Sequence, residues 1–351
     1  MRAGLRPLRL IYESPLGPPA GGHHLLNSKL GIMPMSWTSS LLPFEHDQPA
    51  SGRRTAPGSA RCPDRRACVT VGLRQTVLLD DGAVTLSDVR CHAASRRVTG
   101  VEATRDLELV LPRAGSFARH TRSADILADP TRVLIFRPGE RYRISHPVDR
   151  SDRSVVIGLG PELSAELGAD RAAGDLPSST RLDLTARRVV DGLARGTLDP
   201  LELGGDVLAL AAIILAPARA DAATRPLAVR PGHRRLALRA RIVLMERLGE
   251  RLTLPELARA VGTSPFHLAR VFRSITGESI HEHRVGLRVR AALERIAAGE
   301  DDLTRLALDL GFGDHAHLTN TIRRELGRPP SALRVAPTLL EIRSLRTILQ
   351  A

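Results

Sequence analysis

The 351-residue chain has a single lysine, Lys29, among its 51 basic residues. Cysteine is scarce too. Cys62, Cys68 and Cys91 are the only three, which rules out a disulfide framework and a four-sulfur zinc cluster. Although 42% of the residues are hydrophobic, no apolar run reaches the ~18 residues of a membrane-spanning helix. The opening stretch MRAGLRPLRLIYESPLGPPAGG carries basic residues but lacks the ~7–15-residue apolar core of a secretory signal before its prolines. Together these shortages exclude a disulfide-stapled miniprotein and a helical membrane protein, and they favour the cytoplasm.

What remains is arginine. The formal net charge is +13, and such a balance suits a polyanionic partner such as nucleic acid. A GC-rich genome, which enriches Arg, Ala, Gly and Pro together, gives the same balance. The length fits two or three domains with a sizeable core.

Residues 1–60 are rich in Pro, Gly and Ser without sustained periodicity, and are expected to be disordered. From 61 the texture changes. ACVTVGLRQTVLLDDGAVTLSDV has β-branched runs broken by Asp81-Gly82, a hairpin signal. LELVLPRAGSF, TRVLIFRPGERYRI and RSVVIGLG follow as further short strands, the pattern of a small barrel or sandwich able to hold one small ligand. Up to residue 216 the pattern turns helical, and Leu208 to Ala216 is apolar nearly all round. Such a helix is buried in a core or against another subunit. Residues 217–235 have a linker composition, residues 236–335 are helical, and 336–351 form an apolar-patterned tail. The fold class expected is α+β, a β-rich N-terminal domain with helices followed by an all-α domain.

Within the helical region one skeleton occurs twice. Leu257-Ala258, Val261 and Gly262, then Ser264-Pro265, Leu268, Phe272 and Gly277, describe a short helix, a tight turn and a second, amphipathic helix. Pro255 and Pro265 suit first helical positions, Ser264 suits a cap and Gly262 a turn with positive φ. Leu306-Ala307, Leu310, Gly311, Asp314, Leu318, Ile322 and Gly327 repeat the skeleton. The turn of the second copy is one residue longer. The spacing is that of helix-turn-helix units, whose second helix enters the DNA major groove. IHEHRVGLRVRAALERIAAG predicts one long helix over 280–298, setting the separation of the two copies. Two such helices in successive groove turns need about 34 Å between them. Residues 230–351 carry 21 arginines against 13 acidic residues, in keeping with a nucleic-acid footprint.

Residues 236–334 resemble the DNA-binding domain of the AraC/XylS family of bacterial transcription regulators. GFGDHAHLTNTIRRELGRPPSALR resembles the family's C-terminal signature through Gly311-Phe312, Gly327, Pro330 and Arg334, and the long helix keeps Arg288 and Ala292. The family usually has aromatics where Ile322 and Leu326 stand and a basic residue at Asn320. The resemblance implies a sequence-specific DNA-binding regulator, with double-stranded DNA and RNA polymerase as partners and no cofactor. Activation and repression fit these residues equally. A weaker resemblance, through residues 117–160, is to sensor regions of the family, often cupin-like barrels that bind a small-molecule effector and form homodimers.

Phe266, His267 and Arg270 are expected at base edges, Arg270 as a bidentate partner of guanine and Arg273 on phosphate. In the second copy His315, Ala316, Thr319 and Asn320 occupy the outward N-terminal turns. Asn320 suits adenine, and Arg323 and Arg324 suit phosphate. For an effector the expected residues are His120, Tyr142 and His146. No catalytic residue and no metal ligand is expected. In His281-Glu282-His283 and His315-Ala316-His317 the two histidines point about 200° apart on a helix and cannot share an ion. His92, His120 and His146 could converge with Cys91 inside a barrel, but the pair of alternating histidines plus a carboxylate of a metal-dependent cupin enzyme is missing. The rival to a DNA-binding regulator is a cupin-like protein that binds a ligand or metal without touching DNA.

Overall fold

The computed structural model describes residues 72–92, 98–148, 151–169, 172–220 and 230–350. The expected disordered segment 1–60, Cys62, Cys68 and the middle of the expected linker lie outside them.

Among the described residues, nine strands make two antiparallel sheets. The hairpin forms where expected, between β1 (Gly72–Asp80) and β2 (Val84–His92). Gly82 takes a φ of +85°, and Asp81 Oδ1 accepts from the amides of Ala83 and Val84. β3 (Leu107–Ala114), β6 (Arg132–Phe136), β8 (Asp152–Leu159) and β9 (Asp175–Pro177) complete a six-stranded sheet of order β1-β2-β8-β3-β6-β9. β4 (Phe117–His120), β5 (Asp125–Ala128) and β7 (Arg143–Ser145) form a three-stranded sheet of order β5-β4-β7. The two sheets face each other as a sandwich and do not close into a barrel.

Strand periodicity divides the large sheet cleanly. Leu86, Leu109, Leu111, Val133, Ile135, Val155 and Ile157 enter one core, against helices. Their alternates Val89, Val110, Leu134, Phe136 and Val156 enter another, with Phe117 and Tyr142, between the sheets. A strand buried on both faces reads as a continuous apolar run, and this is why VLIF and SVVIGL carry so little polar alternation.

After the short α1 (Pro161–Glu166), the helical layer is α2 (Thr180–Ala194) and α3 (Pro200–Ala220). Leu203, Val207, Leu210, Ala211, Ile214 and Leu215 of α3 enter the sheet-helix core, so the nearly all-apolar end of this helix is used within the chain. No helix among the described residues is long and apolar enough to cross a membrane.

Eight more helices follow the gap. They are α4 (Pro231–Glu246), α5 (Leu254–Val261), α6 (Pro265–Thr276), α7 (Ile280–Ala297), α8 (Leu303–Asp309), α9 (His315–Leu326), α10 (Pro330–Leu333) and α11 (Leu339–Gln350). α4 opens at Pro231, so the last residues of the segment expected as linker are already helical, with proline at a first-turn position that needs no amide hydrogen. The C-terminal helix α11 does not stay with the helical half. Its Ile342 enters the sheet-helix core, its Leu345 enters a core with α7 and α9, and Glu341 takes hydrogen bonds from Arg188 of α2, at 2.7 and 3.1 Å.

Candidate nucleic-acid interface and buried cavity

Both helix-turn-helix units form as their residues dictate. In the first, Thr253 and Glu256 make a reciprocal capping box at the start of α5, and Gly262 ends that helix at φ +75°. The Ser264 side chain accepts from the His267 amide to start α6, with Pro265 in its first turn, and Gly277 closes it at φ +83°. In the second, Asp314 caps α9 through the His317 amide and Gly327 closes it at φ +73°. Gly311 has a double constraint. Its φ is +76°, and a Cβ there would lie 2.6 Å from the Gly249 carbonyl.

The apolar stripes turn inward. Leu268 and Phe272 are buried with Leu257, Ala258 and Val261, and Leu318 and Ile322 with Leu306, Ala307 and Leu310. The opposite faces are left to solvent. Phe266 is 91% exposed and does not pack inside the domain. Arg270 and Arg273 are exposed and His267 half-buried on α6. On α9, His315, Ala316, Asn320, Arg323 and Arg324 are exposed and Thr319 is half-buried. Burying a ring such as Phe266 stabilises by about 1.5–3 kcal/mol, so leaving it in water suits a surface that meets a partner. Arg270 Nη2 lies 3.5 Å from His267 Nδ1, and Thr319 Oγ1 3.4 Å from His315 Nε2.

The long helix α7 ties this half to the sheets. Its Glu294 accepts hydrogen bonds from Arg113 of β3 at 3.2 Å, Arg153 of β8 at 2.8 Å and Arg187 of α2 at 2.5 Å. Burial works to raise the Glu294 pKa. The three guanidinium groups outweigh it and hold the carboxyl near 2. Nearby, Asp129 is fully buried and paired with Arg241 of α4 at 2.6 Å, and it accepts from Thr131 Oγ1 at 2.6 Å. Here too burial pulls upward, and Arg241, His283 and Thr131 win, holding Asp129 at about 2.

Between the two sheets lies a cavity of about 260 Å³, near the lower end of small-molecule sites. Val110, Phe117, Phe136 and Val156 give it apolar walls. Tyr142, His146, Asp152 and Ser154 supply polar atoms. Of the residues expected at an effector, Tyr142 and His146 reach the cavity. His120 does not. It lies half-buried on β4, bonded to Asp125 at 2.9 Å and Ser145 at 2.7 Å. His92 is exposed beside Ser151, so of the three histidines considered with Cys91 only His146 converges with it, at 3.5 Å. Asp152 went unnoticed in the sequence because its position follows from the β2–β8 register, in which it is the Cα partner of Cys91.

Comparison with known proteins agrees with the geometry of the C-terminal half. Residues 257–336 match the family described as Helix-turn-helix domain. A relative in Rhizobium meliloti, the HTH-type transcriptional regulator GlxA, is 32% identical over 120 residues, covering 34% of this chain and 36% of that protein. Regulatory protein SoxS of Salmonella typhimurium is 28% identical over 89 residues, covering 25% of this chain and 83% of SoxS. The MmsAB operon regulatory protein of Pseudomonas aeruginosa is 26% identical over 91 residues, 26% of this chain and 30% of that protein. The matched region thus spans about a third of the length of the Rhizobium and Pseudomonas relatives. Residues 257–336 thus carry a helix-turn-helix domain similar to that of these transcription regulators.

Proposed function

We propose that the chain is a sequence-specific transcription regulator that sets its two helix-turn-helix units on adjacent major-groove segments of one duplex, under the control of a small ligand held between the two sheets. The observation that carries this is the paired exposure on α6 and α9. Each has a buried apolar stripe and an outward face carrying arginine with other groups suited to bases. Arg270 donates to guanine O6 and N7, Asn320 pairs with adenine N6 and N7, and Phe266 packs on a thymine methyl. His267, His315, Ala316 and Thr319 line the same approach, while Arg273, Arg323 and Arg324 hold phosphates.

The cavity reports to the DNA-binding half through neighbours in sequence. Asp152 lines it, and Arg153, the next residue of β8, bonds Glu294 of α7. A ligand that displaces the start of β8 changes how α7 is held, provided it binds two arrangements of the halves with different affinity. Homodimer formation, contact with RNA polymerase and a cytoplasmic location complete this reading.

The test is footprinting of the full chain on DNA upstream of its own gene, at several salt concentrations, with and without candidate metabolites. A protected region about two helical turns long, with log affinity falling steeply against log salt, supports the proposal. A flat salt dependence, or no protected region on any duplex, leaves the rival of a ligand-binding protein without a DNA role.

A further inference from the structure

Cys91, His146 and Asp152 meet at one end of the cavity, and the way they meet is informative. Cys91 is the next-to-last residue of β2 and Asp152 begins β8 directly opposite it, so both side chains leave the same face of the sheet. His146 follows β7 in the other sheet and reaches across. All three are buried, at 5%, 2% and 6% exposure. His146 Nε2 lies 3.5 Å from Cys91 Sγ and 2.9 Å from Asp152 Oδ2. A thiol–imidazole–carboxylate relay for nucleophilic catalysis uses both ring nitrogens, one towards each partner. Here sulfur and carboxylate address the same nitrogen, and the three donor atoms lie within 4.8 Å of one another. They converge on a point instead of forming a chain.

We propose that Cys91 Sγ, His146 Nε2 and Asp152 Oδ2 are a three-ligand site for a thiophilic divalent cation of the zinc class, with its fourth position open to the cavity. Tetrahedral zinc, with bonds of about 2.0–2.3 Å, places its ligand atoms roughly 3.3–3.7 Å apart, so the 2.9 and 3.5 Å pairs need shifts of a few tenths of an ångström and the widest pair, within 4.8 Å, closes by at most about 1 Å on the ion. The charges balance: a thiolate and a carboxylate neutralise a 2+ ion in a setting where an unbalanced charge is costly, and the thiol proton leaves to solvent as the ion enters.

A second observation points to the open position. Tyr142 Oη and Ser154 Oγ line the same cavity, their residues are 3% and 2% exposed, and neither atom has a hydrogen-bond partner among the described residues. Buried hydroxyls are nearly always satisfied. A water or an oxygen- or nitrogen-bearing ligand on the fourth coordination position gives both a partner. The site therefore takes either the cation alone or a small ligand anchored through it. The inference shares with the effector reading only the premise that this cavity admits a ligand.

The experiment uses the full chain, apo after chelation, titrated with Zn²⁺ by calorimetry and with Co²⁺ by absorption, in the absence of DNA. One equivalent is expected to bind, with a thiolate-to-cobalt charge-transfer band. Cys91→Ser and Asp152→Asn, both nearly isosteric and checked for folding by circular dichroism, should each weaken Zn²⁺ binding by about 10²-fold or more, and Cys91→Ser should abolish the band. A band that survives Cys91→Ser, through Cys62 or Cys68, or an affinity equal in wild type and both variants, overturns the site. DNA affinity with and without Zn²⁺ is read separately. A zinc-dependent change lost in Cys91→Ser supports both the site and the regulatory reading, and binding of zinc with no such change keeps the site while counting against the cavity as the control point.

Discussion

The two helix-turn-helix units share a skeleton but not a mode of attachment. The first packs on α4 in a core whose residues all come from 236–287. It meets the β-rich half through charge, by Arg241 of α4 on the buried Asp129. The core of the second also contains Leu184 of α2 and Leu345 of α11. It is continuous with the helical layer of α2 through apolar contact. Apolar contact is non-directional and tolerates small slides, whereas a buried ion pair holds one geometry and fails abruptly when a partner is lost. A duplicated motif is thus fastened by a buried ion pair on one side and by hydrocarbon on the other.

The sharpest way to break this contrast is at Asp129. Asp129→Ala leaves Arg241 buried without its partner and should cost about 3–5 kcal/mol at neutral pH, measured by urea denaturation. The cost should also depend on pH. Asp129 and Glu294 have folded pKa values near 2, below those of the unfolded chain, so their stabilisation is complete above about pH 4.5 and is lost as pH falls towards 2. The gap between wild type and Asp129→Ala should narrow over that window. A gap constant with pH would show that Asp129 acts by packing and not by charge.

Next comes the apolar anchor. Leu184→Ala should cost about 2–4 kcal/mol with no such pH dependence, and hydrogen exchange should rise in α9 before α6. An equal rise in both units would erase the distinction drawn here. The smallest effects belong to the outward faces. Arg270→Ala and Asn320→Ala should each lose about 1–3 kcal/mol of discrimination at one base pair, in two positions separated by about one turn of DNA, with folding stability unchanged. A loss equal on all sequences would make either residue a phosphate contact.

Much of this was legible in the sequence, and the reason is locality. Asp81-Gly82, Ser264-Pro265, Asp314 and Gly327 each act within a few residues, so their turns and caps can be read without knowing the fold. The doubled skeleton was legible because each copy repeats its own buried stripe. The joint between the halves was not. Arg113 and Glu294 stand 181 residues apart, and Arg187 and Arg188, in an amphipathic stretch where arginine suggests solvent, are 2% and 4% exposed. Only the assembled fold supplies Glu294 and Glu341 as their partners. The cavity was half-legible for a similar reason. His146 and Tyr142 were found, but His120 points elsewhere, and the carboxylate that completes the cluster depends on a strand register the sequence does not encode locally.

Helix α11 is synthesised after every residue it covers. The sheets, the layer of α2 and α3, and both helix-turn-helix units all precede it in the chain. Until then the seats of Ile342 and Leu345 stand open to water, and Arg188 waits for its carboxylate. A chain cut before α11 would therefore keep the sandwich and both helix-turn-helix units and lack the contacts of Ile342, Leu345 and Glu341 that join them.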